Sequence, residues 1–71
     1  MKIEWEYFPE FRTYELWLNE NCVARLVSRN GVYEIAVWNA YPPYGWTKHD
    51  ATYNNLVTAK AVCLAIGVMT L

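Results

Sequence analysis

The stretch Cys22-Val-Ala-Arg-Leu-Val-Ser-Arg-Asn30-Gly31-Val-Tyr-Glu-Ile-Ala-Val-Trp-Asn39 decides the fold of this chain. Two runs rich in β-branched and aromatic residues flank an Asn-Gly pair, which is the strongest short-range signal for a β-hairpin. A type I′ turn needs a positive φ at both central residues, which Asn tolerates and Gly adopts without steric cost. The sequence therefore predicts strands over 22–29 and 32–39 joined by a two-residue turn.

The two-residue turn also fixes which side chains share a face of the hairpin. One face then carries the pairs Ser28–Tyr33, Leu26–Ile35 and Ala24–Val37, and the other carries Arg29–Val32, Val27–Glu34, Arg25–Ala36 and Val23–Trp38. The first face is the more uniformly apolar, so we expect it to lie against the core. The second face is then the outer face of the sheet.

Two earlier runs also read as strands. Residues 2–7 alternate with period two, and residues 13–18 form another β-rich run. A three-residue loop over Asn19–Asn21 would keep Leu16 and Leu18 on the core face, and Asn21 suits the left-handed position of such a loop. A four-residue turn over Phe8–Phe11 would join the first two strands. It would place Ile3, Trp5 and Tyr7 on the core face and set Glu4 opposite Glu15.

The C-terminal third predicts a loop followed by a helix. Pro42, Pro43 and Gly45 fall within residues 40–51, so this segment reads as a long loop. Asp50 or Thr52 can cap a helix that runs to about residue 69. The expected fold is a single α+β domain over residues 1–71. It consists of an antiparallel meander of three to four strands followed by one C-terminal helix packed on the sheet.

The aromatic content points to a binding surface. The chain is 55 % hydrophobic and 17 % aromatic, which is more than one sheet and one helix easily bury. The predicted outer face carries a row of Trp17, Val23 and Trp38, and aromatic residues are enriched at interface hot spots. We expect these three to anchor a protein partner, with Arg25 and Glu34 orienting it and with Tyr44 and Trp46 extending the surface. Beside this row, Glu15 is expected opposite Arg25 in a charged ladder exposed to solvent.

The helix is apolar around most of its circumference, so it needs cover on more than one side. One sheet covers only one side, which favours a homodimer in which a second copy covers the other. The residues predicted to mediate this self-association are Val57, Ala61, Leu64 and Val68.

The charge pattern argues against a nucleic-acid site. The net charge is −1 and no basic run is present. Residues 1–20 hold five glutamates against one lysine and one arginine, whereas the remainder holds four basic side chains against two acidic ones. A nucleic-acid-binding accessory factor that uses Arg25, Arg29, Lys48 and exposed aromatic residues is the alternative function.

Catalytic, metal and cofactor motifs are weak in this sequence. His49 lies beside Asp50, and Cys22 or Cys63 could in principle supply a nucleophile, but the spacing matches no known motif. One histidine and two distant cysteines do not make a zinc site. We therefore expect no enzymatic activity and no cofactor. Free thiols, no signal peptide and no membrane span predict a cytoplasmic protein.

In layout the chain resembles the short accessory proteins that bacteriophages and prophages encode. The resemblance rests on Tyr14-Glu-Leu-Trp17, on Asn30-Gly-Val-Tyr-Glu-Ile-Ala-Val-Trp38 and on Thr58-Ala-Lys-Ala-Val62. It implies a small non-enzymatic protein that masks the surface of a host or defence protein, as anti-CRISPR proteins do. It is a likeness of architecture, so it assigns no role to any residue.

Overall fold

The computed structural model describes residues 1–70, and within them the chain forms five β-strands and one α-helix. The elements are β1 (Ile3–Phe8), β2 (Thr13–Leu18), β3 (Asn21–Arg29), β4 (Val32–Asn39), β5 (Gly45–Tyr53) and α1 (Leu56–Met69). The strands pair antiparallel in the order β1-β2-β3-β4-β5. The predicted α+β class, an antiparallel meander followed by a C-terminal helix, is confirmed. The predicted number of three to four strands is too low.

The central hairpin has the predicted register. Asn30 and Gly31 both have positive φ, at 50° and 80°, as a type I′ turn requires. Six residue pairs match the prediction, from Arg29–Val32 at the turn to Ala24–Val37. Leu26 and Ile35 are fully buried, which confirms the assignment of the core face.

The connection between β2 and β3 differs from the prediction. The loop holds two residues, Asn19 and Glu20, with φ of 50° and 71°, and Asn21 already belongs to β3. The register shifts by one residue between Leu16 and Trp17, which marks a β-bulge. The bulge restores the inward direction of Leu16 and Leu18 that a tight turn alone would have reversed.

The bulge also overturns the predicted position of Val23. Because it adds a residue to β3, Val23 turns toward the helix, where a methyl group built on Gly67 would lie 3.1 Å from Val23 Cγ2. Trp17 pairs instead with Cys22, which takes the place predicted for Val23. The predicted outer row of Trp17, Val23 and Trp38 is therefore wrong at its middle residue.

The first strand keeps the predicted faces but not the predicted pairs. Ile3, Trp5 and Tyr7 pair with Leu18, Leu16 and Tyr14, so they lie on the helix side as expected. Phe8 remains in the ladder opposite Thr13, and a 3-10 turn over Pro9–Phe11 closes on Arg12. The glutamate opposite Glu15 is consequently Glu6 and not Glu4.

The fifth strand replaces most of the predicted loop over residues 40–51. The prolines affect only the segment before Gly45, and the chain then re-enters the sheet with Trp46 opposite Trp38. Because residues 50–53 lie in β5, neither Asp50 nor Thr52 can cap α1. The cap is Asn55, whose Oδ1 accepts a hydrogen bond of 3.1 Å from the Thr58 backbone N–H.

The core lies between α1 and one face of the sheet. The sheet contributes Leu16, Leu18, Ala24, Leu26 and Ile35, and the helix contributes the small residues Ala59, Cys63 and Gly67. A methyl group on Gly67 would lie 2.9 Å from Leu16 Cδ2, so glycine is what lets the helix approach this closely. Burying each large aliphatic side chain contributes about 1.5–3 kcal/mol.

The two tight turns yield a reciprocal stability test. Glu20 holds a φ of 71°, which costs an L-residue about 1–2 kcal/mol, whereas Gly31 holds a φ of 80° without that cost. We expect Glu20→Gly to raise the free energy of unfolding in urea by about 1 kcal/mol. Gly31→Glu should lower it by a similar amount, because nothing lies within 4 Å of the added Cβ and only the backbone conformation is penalised. Equal stability of the two variants would contradict the turn assignment.

Candidate functional site

The face of the sheet opposite α1 carries most of the polar and aromatic side chains singled out in the sequence. We call it the outer face. The helix packs against β2, β3, β4 and β5 from the other side. The turn over Pro9–Phe11 borders the outer face, where Phe8 and Phe11 line a pocket together with Glu15, Arg25 and Arg29. The side chains that project from it include Glu6, Glu15, Trp17, Arg25, Glu34, Trp38, Trp46 and Lys48.

Glu15 is the centre of the polar contacts on this face. Its Oε1 accepts a hydrogen bond of 3.3 Å from the indole N–H of Trp17. Its Oε2 lies 3.5 Å from Nε of Arg25, within ion-pair distance but without a hydrogen bond. The Glu15 side chain is only 16 % exposed, so the carboxylate is held in one place between its two partners.

Arg25 connects this carboxylate to a pair of tryptophans. Its guanidinium carbon lies 4.1 Å from the centroid of the Trp46 ring, which is a cation–π contact. The Trp46 ring meets Trp38 edge to face, with 5.4 Å between centroids and an interplanar angle of 63°. We call the five residues Trp17, Glu15, Arg25, Trp46 and Trp38 the Trp–Arg cluster.

A second ionic group lies beside this cluster. Glu34 is 3.2 Å from Nε of Arg29 and 3.5 Å from Nζ of Lys48. Each basic side chain projecting from the outer face within residues 1–70 therefore has a carboxylate within ion-pair distance. Both basic groups around Glu34 are well exposed, so these pairs contribute little to stability, about 0–1 kcal/mol each.

The structure brings together most of the predicted partner-binding residues. Trp17, Arg25, Trp38 and Trp46 meet in the Trp–Arg cluster, and Glu34 lies next to it. Tyr44 is exposed in the loop before β5. The preceding residues Tyr41, Pro42 and Pro43 line a groove with Val37 and Thr70, so this part of the loop lies toward the end of the helix.

The predicted self-association residues lie along the solvent side of α1. Val57 is 78 % exposed and Val68 is 40 % exposed. Ala61 is exposed as well, whereas Leu64 is partly buried because it also packs against the core. We call these four residues the helix stripe.

Sequence reasoning missed two features of the outer face. Glu15 was expected opposite Arg25, but as an ordinary solvated pair and not as the link between Trp17 and Arg25. Lys48 was assigned to a loop, so its place beside Glu34 was not foreseen. Residues 46–52 do not alternate between apolar and polar types, and the available signal is the presence of residues that favour strands, Trp46, Thr47, Thr52 and Tyr53.

The nucleophilic and titratable side chains are not arranged as a catalytic group. His49 Nε2 lies 3.2 Å from the Tyr53 hydroxyl, and the two rings stack. Both cysteines are free, and burial is the main cause that raises the pKa of each thiol. Among the described residues, no three His, Cys, Asp or Glu side chains lie close enough to hold a metal ion. The same part of the chain has no helix with the length and apolarity to cross a bilayer.

The fold and this face define a class of protein: a small α+β domain whose antiparallel meander is covered by a helix on one face only. Comparison of the chain with protein-family models, with curated proteins and with solved structures finds no significant match. The function is therefore argued from the outer face itself.

The buried thiol gives a pH dependence whose sign can be checked. Burial, with a smaller contribution from Cys22, raises the pKa of Cys63 from its ordinary value of 9.0 to about 12. Between these values the unfolded chain loses the thiol proton and the folded chain keeps it, so the contribution to stability is full below pH 9 and falls as the pH rises toward 12. We expect the free energy of unfolding of the wild type to fall more steeply across this window than that of Cys63→Ala. A difference between the two proteins that does not change with pH would contradict this assignment.

Proposed function

We propose that this chain is a small non-enzymatic protein-binding module whose docking surface is the outer face. In layout it fits a phage- or prophage-type accessory protein that acts in the cytoplasm by masking the surface of a host or defence protein. The observation that carries the proposal is the Trp–Arg cluster: three tryptophans and an arginine fixed by mutual contacts on a face that residues 1–70 leave uncovered.

The composition of the cluster is that of an interface hot spot. Trp and Arg are the side chains most enriched among residues whose truncation costs more than about 2 kcal/mol of binding energy. Trp38 is 39 % exposed, so it retains apolar surface that a partner can bury. The contacts among Trp17, Glu15 and Arg25 hold the side chains in place before binding, which lowers the entropy cost of association.

A protein partner fits this face better than a nucleic acid. Arg25 pairs with Glu15, and Arg29 and Lys48 both pair with Glu34. A phosphate backbone would have to displace these carboxylates or accept their repulsion, because affinity for nucleic acid depends on free basic groups that release counterions. The same mixture of charges suits a protein surface, where complementary charges set orientation and specificity.

We also propose that the chain forms a homodimer, as the apolar circumference of the helix led us to expect. Two surfaces could hold a second copy. One is the helix stripe, where Val57 and Val68 are exposed to solvent. The other is the outer face itself.

The docking surface can be tested with one variant on each side of the molecule. Immobilised wild-type protein is used to capture partners from a lysate of the source cells, and the captured protein is then purified and titrated by calorimetry. Trp38→Ala should raise its dissociation constant by about 30-fold or more, since hot-spot truncations cost at least about 2 kcal/mol. Val57→Ala, at a more exposed site on the helix, should leave the constant within about twofold.

Three results would refute the proposed docking surface. Trp38→Ala binding as tightly as the wild type while remaining folded in thermal melts would exclude the outer face. Strongly salt-dependent retention on DNA or RNA would favour the nucleic-acid alternative. Turnover in a screen of hydrolase substrates would show that the chain is an enzyme.

A further inference from the structure

The charges on the outer face are distributed unevenly from edge to edge. One row of residues crosses the whole sheet at a single level: Glu6, Glu15, Arg25, Ala36 and Lys48 are successive partners from β1 to β5. Its β1–β2 side is acidic and its β3–β5 side is basic. The row is therefore a line of charge that changes sign near the central strand.

Each end of this row carries charge that the chain does not balance. Glu6 lies opposite another carboxylate, Glu15, and has no ion-pair partner among residues 1–70. At the other edge, Lys48 shares Glu34 with Arg29, so two positive groups face one carboxylate. Like charges directly opposite each other in a sheet are destabilising. A partner surface with a basic side chain over Glu6 and an acidic side chain over Lys48 would neutralise the excess charge at both ends of the row.

We propose that the outer face docks against the outer face of a second copy of this chain, around a two-fold axis that runs along β3. This inference rests on the proposed function, because it concerns the same docking surface: in the free protein a second copy covers the outer face, and a foreign target would compete with that copy for it. A rotation about β3 exchanges β1 with β5 and β2 with β4. It therefore places Glu6 over Lys48 of the second copy, and Lys48 over Glu6 of that copy.

The same rotation joins the aromatic residues. Trp17 follows Glu15 by two residues in β2, and Trp38 follows Ala36 by two residues in β4. Because β2 and β4 are both antiparallel to β3, they run in the same direction, and the two tryptophans lie at the same level of the sheet. Exchange of β2 with β4 consequently brings Trp17 against Trp38 of the second copy. The two Arg25 side chains meet near the axis, where the adjacent Glu15 carboxylates balance their charge. The strands of the two sheets stay aligned, which is a common way for sheets to pack face to face.

The alternative axis is disfavoured by the same charges. A two-fold axis across the strands would place β1 of one copy against β1 of the other. At the level of the charged row, such an axis would set Glu6 against Glu6 of the second copy and Lys48 against Lys48 of the second copy, and like-charge contacts of this kind cost several kcal/mol.

The area of the outer face is sufficient for a dimer, whereas that of the helix stripe is not. Five strands about 4.8 Å apart and roughly 20 Å long present about 500 Å² of flat area, or about 1,000 Å² for two copies. The protruding side chains add further area to this value. A 14-residue helix is about 21 Å long and about 10 Å wide. It offers roughly 400 Å² for two copies, which is the size of an incidental contact.

Charge reversal at the two ends of the row gives a decisive test by sedimentation velocity over a concentration series. The wild type should dimerise. Glu6→Lys alone would set lysine against lysine, and Lys48→Glu alone would set glutamate against glutamate, so each should weaken the dimer by about tenfold or more. Both residues are exposed, so both variants should fold. An equimolar mixture of the two variants should dimerise again, because both contacts then join a lysine to a glutamate.

Val57→Glu on the helix stripe discriminates between the two candidate dimer surfaces, and a dimer formed through the outer face should be unchanged by it. The inference is overturned if the wild type stays monomeric at every concentration or if the mixture fails to recover. It is also overturned if Val57→Glu breaks the dimer while the two sheet variants do not. A monomeric wild type that still captures a target through Trp38 would refute the dimer and leave the proposed function standing.

Discussion

The pairing of Leu26 with Ile35 at the centre of the sheet is the constraint on which the rest of the molecule depends. Both side chains are fully buried in the core between the sheet and α1, and the small residues Cys63 and Gly67 let the helix lie close to the sheet. Since side chains alternate along a strand, burying this pair forces the neighbouring Arg25 and Glu34 to the opposite side. The outer face is thus a geometric consequence of the core, and a shift of one residue in register would exchange the two.

The bulge in β3 reconciles this alternation with a tight turn. A two-residue turn at Asn19 and Glu20 would by itself direct Leu16 and Leu18 outward. The bulge adds one residue, returns both leucines to the core and turns Val23 toward Gly67. The same adjustment places Cys22 beside Trp17 on the outer face. A local change at one turn therefore decides both how the helix packs and which side chains the outer face presents.

How far the sequence predicted the fold depended on whether local chemistry fixed a backbone conformation. The Asn30-Gly31 pair allows essentially one turn, so the register of β3 and β4 followed from it. Glu20 adopts a left-handed conformation that its residue type does not favour, so the turn and the bulge could not be foreseen. β5 was missed because Pro42 and Pro43 were taken to interrupt a longer segment than they do. For the candidate site, the faces of Trp17, Arg25 and Trp38 followed from periodicity, but the link through Glu15 depends on side-chain geometry that a sequence does not specify.

The position of Glu15 is the strongest support for the proposal that the outer face binds another protein. A largely buried carboxylate loses hydration, and a single ion pair with Arg25 at 3.5 Å recovers only part of that loss. An apolar residue at the same position would stabilise the sheet at least as well. What Glu15 provides instead is orientation: it fixes the Trp17 indole through a hydrogen bond and holds the Arg25 guanidinium near the Trp46 ring. Fixed aromatic rings on a face that its own chain leaves uncovered reduce the entropy cost of docking another protein. That benefit arises only in a complex, so the arrangement supports the proposal that the outer face is one half of an interface.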